Sequence, residues 1–293
     1  MGITTRLQPV TVKTLGWDGI WLNNWEYGAD GPALFFFHCT GTMGRMWEPV
    51  LRRLNGTYHC ITPDARGHGN SAKPLDKEAY DWRYYARDIN AILDAMNLDQ
   101  GVLAVGHSAG ATHLVNAASL RPELFHALLL IDPVMAPREL NNELTQRCIE
   151  LSERTRRRHS TFESRESAHE RFSSKPPMSL WSEESLLAYI AYGLKQCDNG
   201  HLELLCPVAI EAWTYEWAAR QTVFEQIGNL ELPVTLVTGK ESDLAPFVEA
   251  QYQEFKHPQE LITLEATHFI PQELPGAIAS IIDQWAGNFY SNQ

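Results

Sequence analysis

The sequence contains little that would suit an extracellular, membrane-bound or nucleic-acid-binding protein. Its five cysteines are an odd number without tight spacing, which fits a reducing interior better than a disulfide framework. Basic side chains number 24 against 36 acidic ones, so the chain lacks the basic footprint that nucleic acid or an anionic membrane requires. No apolar run approaches the roughly 18 residues of a membrane span, and residues 1–6 have no secretory apolar core. The composition predicts a soluble, cytoplasmic protein with neither a nucleic acid nor a membrane as partner.

Motifs for cofactors and metals are also missing. The chain has no Gly-x-Gly-x-x-Gly sequence and no lysine motif that would cradle phosphate, so we expect no nucleotide cofactor. Cys197, His201 and Cys206 are possible metal ligands, but their spacing matches no structural zinc pattern. We therefore predict neither a cofactor nor a metal site.

What the sequence does contain is an alternation of strand and helix patterns. Continuous apolar runs at Ala33–His38, Gly101–Gly106 and Ala127–Ile131 are typical of strands buried on both faces of a sheet. Between such runs, apolar residues recur at helical spacing, as in Tyr80–Leu98. This pattern predicts an α/β fold with a mostly parallel central sheet and helices on both faces.

The alternation stops after Pro133 and returns near residue 234. The pattern of the intervening segment predicts mainly helices, and its composition is polar at first and aromatic later. Its charged run, Arg154–His159, is typical of a solvated helical face. We predict a first part of the α/β core at residues 1–136, an inserted helical cap at 137–224, and a second part of the core at 225–293.

The most informative local motif is Gly-His-Ser-Ala-Gly at residues 106–110. It follows an apolar strand and opens a helix, a context that presents a nucleophile on a sharp turn. The flanking glycines lack the Cβ atoms that would clash there. The N-terminus of the helix supplies N–H groups that can hold developing negative charge. Ser108 is therefore the candidate nucleophile, and an inert serine in a tight turn is the alternative.

A serine nucleophile needs a base, and the base needs an orienting acid. His268 follows the strand pattern Leu261–Leu264, and Asp243 follows another strand pattern that ends near residue 238. Because the carboxyl ends of parallel strands meet at one edge of a sheet, both side chains should approach Ser108.

The choice of acid has alternatives. Asp132 also follows a strand directly, and Glu241 lies in the same loop as Asp243. We choose Asp243, because Ser108, Asp243 and His268 then each follow a candidate strand of their own, in the order Ser, Asp, His that is known for such triads.

With these motifs the chain resembles the α/β-hydrolase fold superfamily, over nearly its whole length apart from the cap. The resemblance rests on residues 38–41, 64–71, 106–110, 239–243 and 267–269. It implies Ser108 as the nucleophile, His268 as general base and then acid, and Asp243 as the orienting acid. It also implies an oxyanion hole made by the backbone N–H groups of Thr40 and Ala109.

The resemblance predicts a cofactor-free serine hydrolase that cleaves carboxylic esters through an acyl-enzyme, with a small molecule as its substrate. Aromatic residues of the cap, together with Met43, Met46 and Met135, indicate an apolar or aromatic substrate, unless they only form the core of the cap. Two alternatives stay open: a carbon–carbon bond hydrolase or lactonase with the same triad, and a ligand-binding protein without turnover. An epoxide hydrolase or haloalkane dehalogenase is disfavoured, because those relatives carry a carboxylate nucleophile where this chain has serine.

Overall fold

The computed structural model describes residues 8–28 and 30–290 of the 293-residue chain. The strands of this part are β1 (Val10–Leu15), β2 (Trp21–Tyr27), β3 (Ala33–Phe37), β4 (His59–Pro63), β5 (Val102–His107), β6 (Phe125–Ile131), β7 (Thr161–Phe162), β8 (Leu194–Gln196), β9 (Leu202–Leu204), β10 (Val234–Gly239) and β11 (Pro258–Leu264). The α-helices are α1 (Glu48–Leu51), α2 (Trp82–Ala95), α3 (Ala109–Leu120), α4 (Asn141–Arg156), α5 (Arg165–Ser173), α6 (Glu183–Tyr192), α7 (Val208–Ala218), α8 (Phe224–Ile227), α9 (Ala245–Glu254), α10 (Ile270–Glu273) and α11 (Pro275–Tyr290). Short 3₁₀ turns lie at Gly44–Trp47, Lys77–Tyr80, Pro122–Leu124 and Met178–Leu180.

The main sheet has the strand order β1-β2-β4-β3-β5-β6-β10-β11. The pairs β1–β2 and β2–β4 are antiparallel, and the other neighbouring pairs are parallel. Strands β5 and β10 are buried along their whole length, as expected for strands covered on both faces. The carboxyl ends of β5, β6, β10 and β11 therefore lie side by side at one edge of the sheet, where an open α/β sheet places its site.

Helices cover both faces of this sheet. On one face, α2 and α3 contribute fully buried side chains such as Ile89 and Leu114 to an apolar cluster. On the other face, α11 and α1 contribute Ile278, Ile282 and Val50 to a second cluster. Burying each such side chain is worth about 1.5–3 kcal/mol, and this burial holds the sheet edge and its loops in place.

Residues 137–224 contain α4, α5, α6, α7 and a small antiparallel sheet of order β7-β9-β8. The small sheet is an addition to the mainly helical segment expected from the sequence. Phe162, Trp181 and Tyr189 of this segment share an apolar cluster with Met43 and Met46, which lie outside it. The proposed limits at 137 and 224 stay a prediction, and α8 begins at the second of them.

Candidate active site

Ser108 lies on the turn between β5 and α3 with φ 58° and ψ −125°, a conformation that non-glycine residues rarely adopt. The turn is possible because its neighbours are glycines. A Cβ atom on Gly106 would lie 2.5 Å from the Cα of Ala111, and one on Gly110 would lie 2.4 Å from a backbone oxygen of β3. The N–H of Ser108 donates to the carbonyl of Ile131 at 2.8 Å. The strained turn is thus anchored to β6.

His268 lies in the loop after β11 and bridges two side chains. Its Nε2 is 2.8 Å from Oγ of Ser108, and its Nδ1 is 2.6 Å from Oδ2 of Asp132. The buried ring of His107 contacts the same loop, with its Nε2 at 2.8 Å from the carbonyl oxygen of His268. Burial lowers the pKa of His107 to about 3, so its ring is neutral and its Nε2–H donates this bond.

The acid in contact with His268 is Asp132, and the prediction that Asp243 contacts it is wrong. The side chain of Asp243 is 91% exposed and lies 3.8 Å from Arg147. Asp132 is fully buried, one residue beyond the end of β6. Both strands end at the same sheet edge, but Asp132 has φ 49° and its side chain reaches His268, whereas Asp243 follows β10 by four residues and faces solvent.

Two hydroxyl groups hold the Asp132 carboxylate, and neither was expected from the sequence. Thr238 Oγ1 donates to Oδ1 at 2.8 Å, and Ser242 Oγ donates to Oδ2. The N–H of Asp132 donates to the carbonyl of Val237 at 2.8 Å. A threonine and a serine near a strand end are too common to reveal such a role in the sequence.

The segment of residues 38–42, here called the oxyanion loop, passes beside Ser108. The carbonyl oxygen of Cys39 accepts from Nδ1–H of His38 at 2.8 Å, and from the hydroxyl and the N–H of Thr42 at 2.9 and 3.3 Å. Because the C=O and N–H of one peptide unit point in opposite directions, these bonds set the direction of the Thr40 N–H. The first N–H groups of a helix have no intrahelical acceptor, which leaves that of Ala109 available too.

Two neutral histidines tie the oxyanion loop to the segment after β4: His38 belongs to the loop, and His68 to that segment. The N–H of Ala65 donates to Nε2 of His38, and the N–H of Gly41 donates to Nε2 of His68, both at 3.0 Å. Burial lowers the pKa of His38 to about 3 and that of His68 to about 4. Both rings therefore stay neutral near neutral pH, which their role as acceptors of N–H groups requires.

A cavity of about 510 Å³ opens onto the Oγ of Ser108. Its apolar wall is formed by Trp82, Val134, Leu144, Leu151, Leu180, Tyr215, Ala218, Leu244 and Phe269. Its charged lining residues are Arg147, Glu150, Arg154, Glu241 and Asp243. Thr40, Ala109 and His268 also border it, so the candidate nucleophile, base and oxyanion donors face one space.

A model of the family described as alpha/beta hydrolase fold matches residues 32–271. The chain belongs to this family. The match confirms the α/β hydrolase fold expected from the sequence, and with it a sheet that is mostly parallel and flanked by helices.

Curated proteins that are similar to this chain include hydrolases. An epoxide hydrolase of Caballeronia sordidicola is 38% identical over 112 residues, which are 38% of this chain and 33% of the relative. A 2-(acetamidomethylene)succinate hydrolase of Mesorhizobium japonicum is 37% identical over 113 residues, 39% of each chain. The matched segment thus spans between about a third and two fifths of the length of these relatives.

Solved structures match this alpha/beta hydrolase over more of its length. The structure of E-2-(acetamidomethylene)succinate hydrolase superposes with a TM-score of 0.79 at 23% identity, over 95% of this chain and 99% of that one. A thioesterase domain from the curacin biosynthetic pathway gives a TM-score of 0.77 at 21% identity, over 94% and 99%. At these identities the likeness shows the fold alone.

The aromatic residues and methionines expected to shape the cavity divide into two groups. Tyr215 borders the cavity. Trp181 and Tyr189 instead pack with Met43 and Met46 in the apolar cluster of residues 137–224, and fully buried Met135 belongs to the cluster of the main sheet. Most of these aromatic and methionine side chains therefore pack in apolar clusters and do not line the cavity, which is close to the alternative given in the sequence analysis.

The described residues of this alpha/beta hydrolase contain no group of three or more His, Cys, Asp or Glu side chains that could hold a metal ion. In the same part of the chain, every helix is too short or too polar to cross a lipid bilayer.

Proposed function

We propose that this alpha/beta hydrolase is a serine hydrolase that cleaves carboxylic esters. Ser108 is the nucleophile, His268 the general base and then acid, and Asp132 the acid that orients the imidazole. The observation that carries the proposal is the bridge made by His268, whose two ring nitrogens lie 2.8 Å from the serine Oγ and 2.6 Å from the buried carboxylate. This arrangement is what activation of a serine hydroxyl requires.

The first half-reaction forms an acyl-enzyme. Ser108 Oγ attacks the ester carbonyl carbon while its proton moves to Nε2 of His268. The carbonyl oxygen becomes an oxyanion, which the N–H groups of Thr40 and Ala109 stabilise. Collapse of this intermediate breaks the bond to the alkoxy oxygen, which takes the proton from Nε2 and leaves as an alcohol.

The second half-reaction releases the acid. A water molecule gives a proton to Nε2 of His268 and attacks the carbonyl carbon of the acyl-enzyme. The same N–H groups hold the second oxyanion. When the intermediate collapses, the bond to Ser108 Oγ breaks and the serine recovers its proton from Nε2. Asp132 stabilises the imidazolium in both halves without itself taking the proton.

The cavity supports an apolar or aromatic small molecule as the substrate. Trp82, Leu144, Leu244 and Phe269 form an apolar wall next to the Ser108 hydroxyl. A volume of about 510 Å³ lies in the usual range for small-molecule sites. The charged side chains that also line the cavity can hold a polar end of the substrate.

Epoxide hydrolysis is a less suitable reaction for this site, although one relative is named an epoxide hydrolase. Epoxide hydrolases of this fold use a carboxylate nucleophile on the turn between strand and helix, whereas this chain has Ser108 on that turn. Opening of a lactone, or cleavage of a carbon–carbon bond next to a carbonyl, would use the same triad and stays an alternative.

The organisation proposed with this activity is a cap, residues 137–224, inserted into the core and covering the site. Its support is that Leu144 of α4 and Tyr215 of α7 border the cavity above Ser108. We also propose a cytoplasmic location, supported by five free cysteine thiols.

The test combines a fluorophosphonate probe with a graded series of p-nitrophenyl esters, in wild type and in Ser108→Ala. We expect labelling and ester turnover in wild type and the loss of both in the variant. Labelling without ester turnover would support the lactone or carbon–carbon alternative. A folded wild type with neither would support a ligand-binding protein.

A further inference from the structure

Gly41 of the oxyanion loop is held on three sides. From the core, Nε2 of His68 accepts its N–H at 3.0 Å. From the cap, the hydroxyl of Tyr189 donates to its carbonyl oxygen at 3.4 Å. The carboxylate of Glu211 lies against its Cα, since a Cβ atom there would be 2.8 Å from Oε1 and 2.9 Å from Cδ. The residue that follows Thr40 is thus enclosed by side chains of both parts of the molecule.

The Glu211 carboxylate reaches this position as the buried half of an ion pair whose arginine, Arg158, is partly exposed. Both of its oxygens accept from the guanidinium of Arg158, with Oε1 at 3.0 Å from Nη1. Glu211 is only 3% exposed, and burial raises the pKa of its carboxyl although Arg158 opposes the shift. Removing a carboxylate from water costs free energy even when the carboxylate is paired. A buried carboxylate in an ion pair therefore adds little to the stability of a fold. Its contact with Gly41 suggests a role in position.

We propose that Tyr189, Glu211 and Arg158 of the cap are positioning residues that keep the oxyanion loop in the geometry needed to stabilise the transition state. The proposal rests on the serine hydrolase function proposed above. It makes the cap part of the catalytic arrangement as well as a cover for the substrate.

The position of Gly41 affects the oxyanion donor because Gly41 directly follows Thr40. Gly41 has φ +81°, a conformation open to glycine at little cost, and its position determines where the preceding peptide units lie. If its carbonyl loses Tyr189 or its Cα face loses Glu211, the Thr40 N–H can turn away from the oxyanion. Loss of one oxyanion donor lowers kcat about 10²- to 10³-fold. This is the largest fall in kcat that we expect from a substitution that loosens the loop.

The first pair of variants tests the tyrosine. Tyr189→Phe removes only the hydroxyl, because the ring packing against Phe172 and Trp181 is kept. Tyr192→Phe is the matched control on the same helix: its hydroxyl also crosses to the core, at 3.3 Å from Glu48, but not to the oxyanion loop. We expect kcat to fall about 3- to 10-fold in Tyr189→Phe, with KM unchanged, and to stay within about two-fold of wild type in the control.

The second pair tests the ion pair. Glu211→Gln keeps the shape of the side chain and weakens its hold on Arg158. Glu216→Gln is the control on α7, because Glu216 pairs with Arg156 and Lys77 and stands clear of Gly41. We expect kcat to fall about 10- to 100-fold in Glu211→Gln and to stay near wild type in Glu216→Gln. Arg158→Lys keeps the positive charge but makes fewer hydrogen bonds, so its kcat should lie between those of Glu211→Gln and wild type. It replaces Glu211→Gln as the test if that variant does not fold.

A readout specific to the oxyanion completes the test. Phenylboronic acid, which forms a tetrahedral adduct on an active serine, should bind Tyr189→Phe and Glu211→Gln more weakly by the same factor as kcat falls, while the KM of the ester stays unchanged. Equal kcat and boronate affinity in the test and control variants would overturn the positioning role, as would a rise in KM alone. If Ser108→Ala retains full turnover, the proposed function itself fails, and that result is separate from either of these.

Discussion

The Nδ1 atom of His268 lies 2.6 Å from Oδ2 of Asp132, although 136 positions of the chain separate the two residues. Their contact exists because β6 and β11 lie on either side of β10 in the sheet and because the residue after β6 takes a positive φ of 49°. The carboxylate is fully buried and has two hydroxyl donors besides the imidazole. This contact, and the exposure of Asp243, lead to the first prediction.

Asp132→Asn should lower kcat/KM for p-nitrophenyl esters by about 10³- to 10⁴-fold, because an amide favours the wrong tautomer of His268 and does not stabilise an imidazolium. Asp243→Asn is the matched control: its kcat should stay within about two-fold of wild type, because its side chain is 91% exposed and does not contact His268, and any effect of its place at the border of the cavity should fall on KM. Steady-state kinetics on both variants decides the point. A comparable loss in Asp243→Asn would contradict the proposed triad.

Thr238→Val should lower kcat about tenfold with little change in KM. The substitution removes the hydroxyl that donates to Oδ1 of Asp132 at 2.8 Å, and a hydrogen bond to a charged group is worth about 1.5–3 kcal/mol. Thr235→Val, at another buried position of β10, is the control and should leave kcat unchanged. If both variants behave alike, Thr238 serves only to pack the strand.

His113→Phe should make the free energy of unfolding less dependent on pH. Burial lowers the pKa of His113 well below its usual value of 6.5, and its ring stacks on Tyr85 at 4.3 Å. At this residue the unfolded chain therefore binds up to one proton more than the folded chain below pH 6.5, so the stability that the neutral ring contributes falls as the pH drops from 6.5. The loss from this ring at pH 5 is at most about 2 kcal/mol, the limit set by a histidine with the usual pKa of 6.5 in the unfolded chain.

Urea unfolding at pH 8 and pH 5 measures this effect. At pH 8 the histidine is neutral in both states, so the difference between wild type and His113→Phe there reports packing alone. At pH 5 the difference should shift in favour of the variant, by at most about 2 kcal/mol. An equal difference at both pH values would mean that His113 does not take up a proton on unfolding.

Alkylation should distinguish the serine from the neighbouring thiol. Cys39 borders the same cavity as Ser108, but burial raises the pKa of its thiol to about 12, so almost none is the reactive thiolate near neutral pH. Iodoacetamide at pH 7.5 should therefore leave ester hydrolysis intact, while a fluorophosphonate abolishes it. Peptide mapping should find the phosphonate on Ser108, and inactivation by alkylation of Cys39 would argue for a thiol nucleophile.

Part of the site could be predicted because its requirements are local. The turn at Ser108 needs small neighbours on both sides, and Gly106 and Gly110 occur at that spacing in the sequence. His268 could be found because a parallel sheet brings the loops after its strands to one edge. The choice between Asp132 and Asp243 could not be made this way, since both follow strands that end at that edge.

The contacts that residues 137–224, the proposed cap, make with the rest of the chain could not be predicted from the sequence either. The charged run that contains Arg158 has the pattern of a solvated face, yet this arginine pairs with the buried Glu211, 53 positions away. The hydroxyls of Thr238 and Ser242 carry no pattern that separates them from other surface or strand hydroxyls. Each of these contacts joins elements that are distant in the chain.

The alternation of strands and helices, the mostly parallel sheet and the sharp turn at Ser108 follow from the order of the amino acids, because apolar periodicity and steric limits act over a few neighbouring residues. Which carboxylate reaches His268, and that Tyr189 and Glu211 touch Gly41, could be seen only in the folded chain. Those outcomes depend on strand order and on the direction of each side chain after its strand or helix ends, and packing between distant elements settles both.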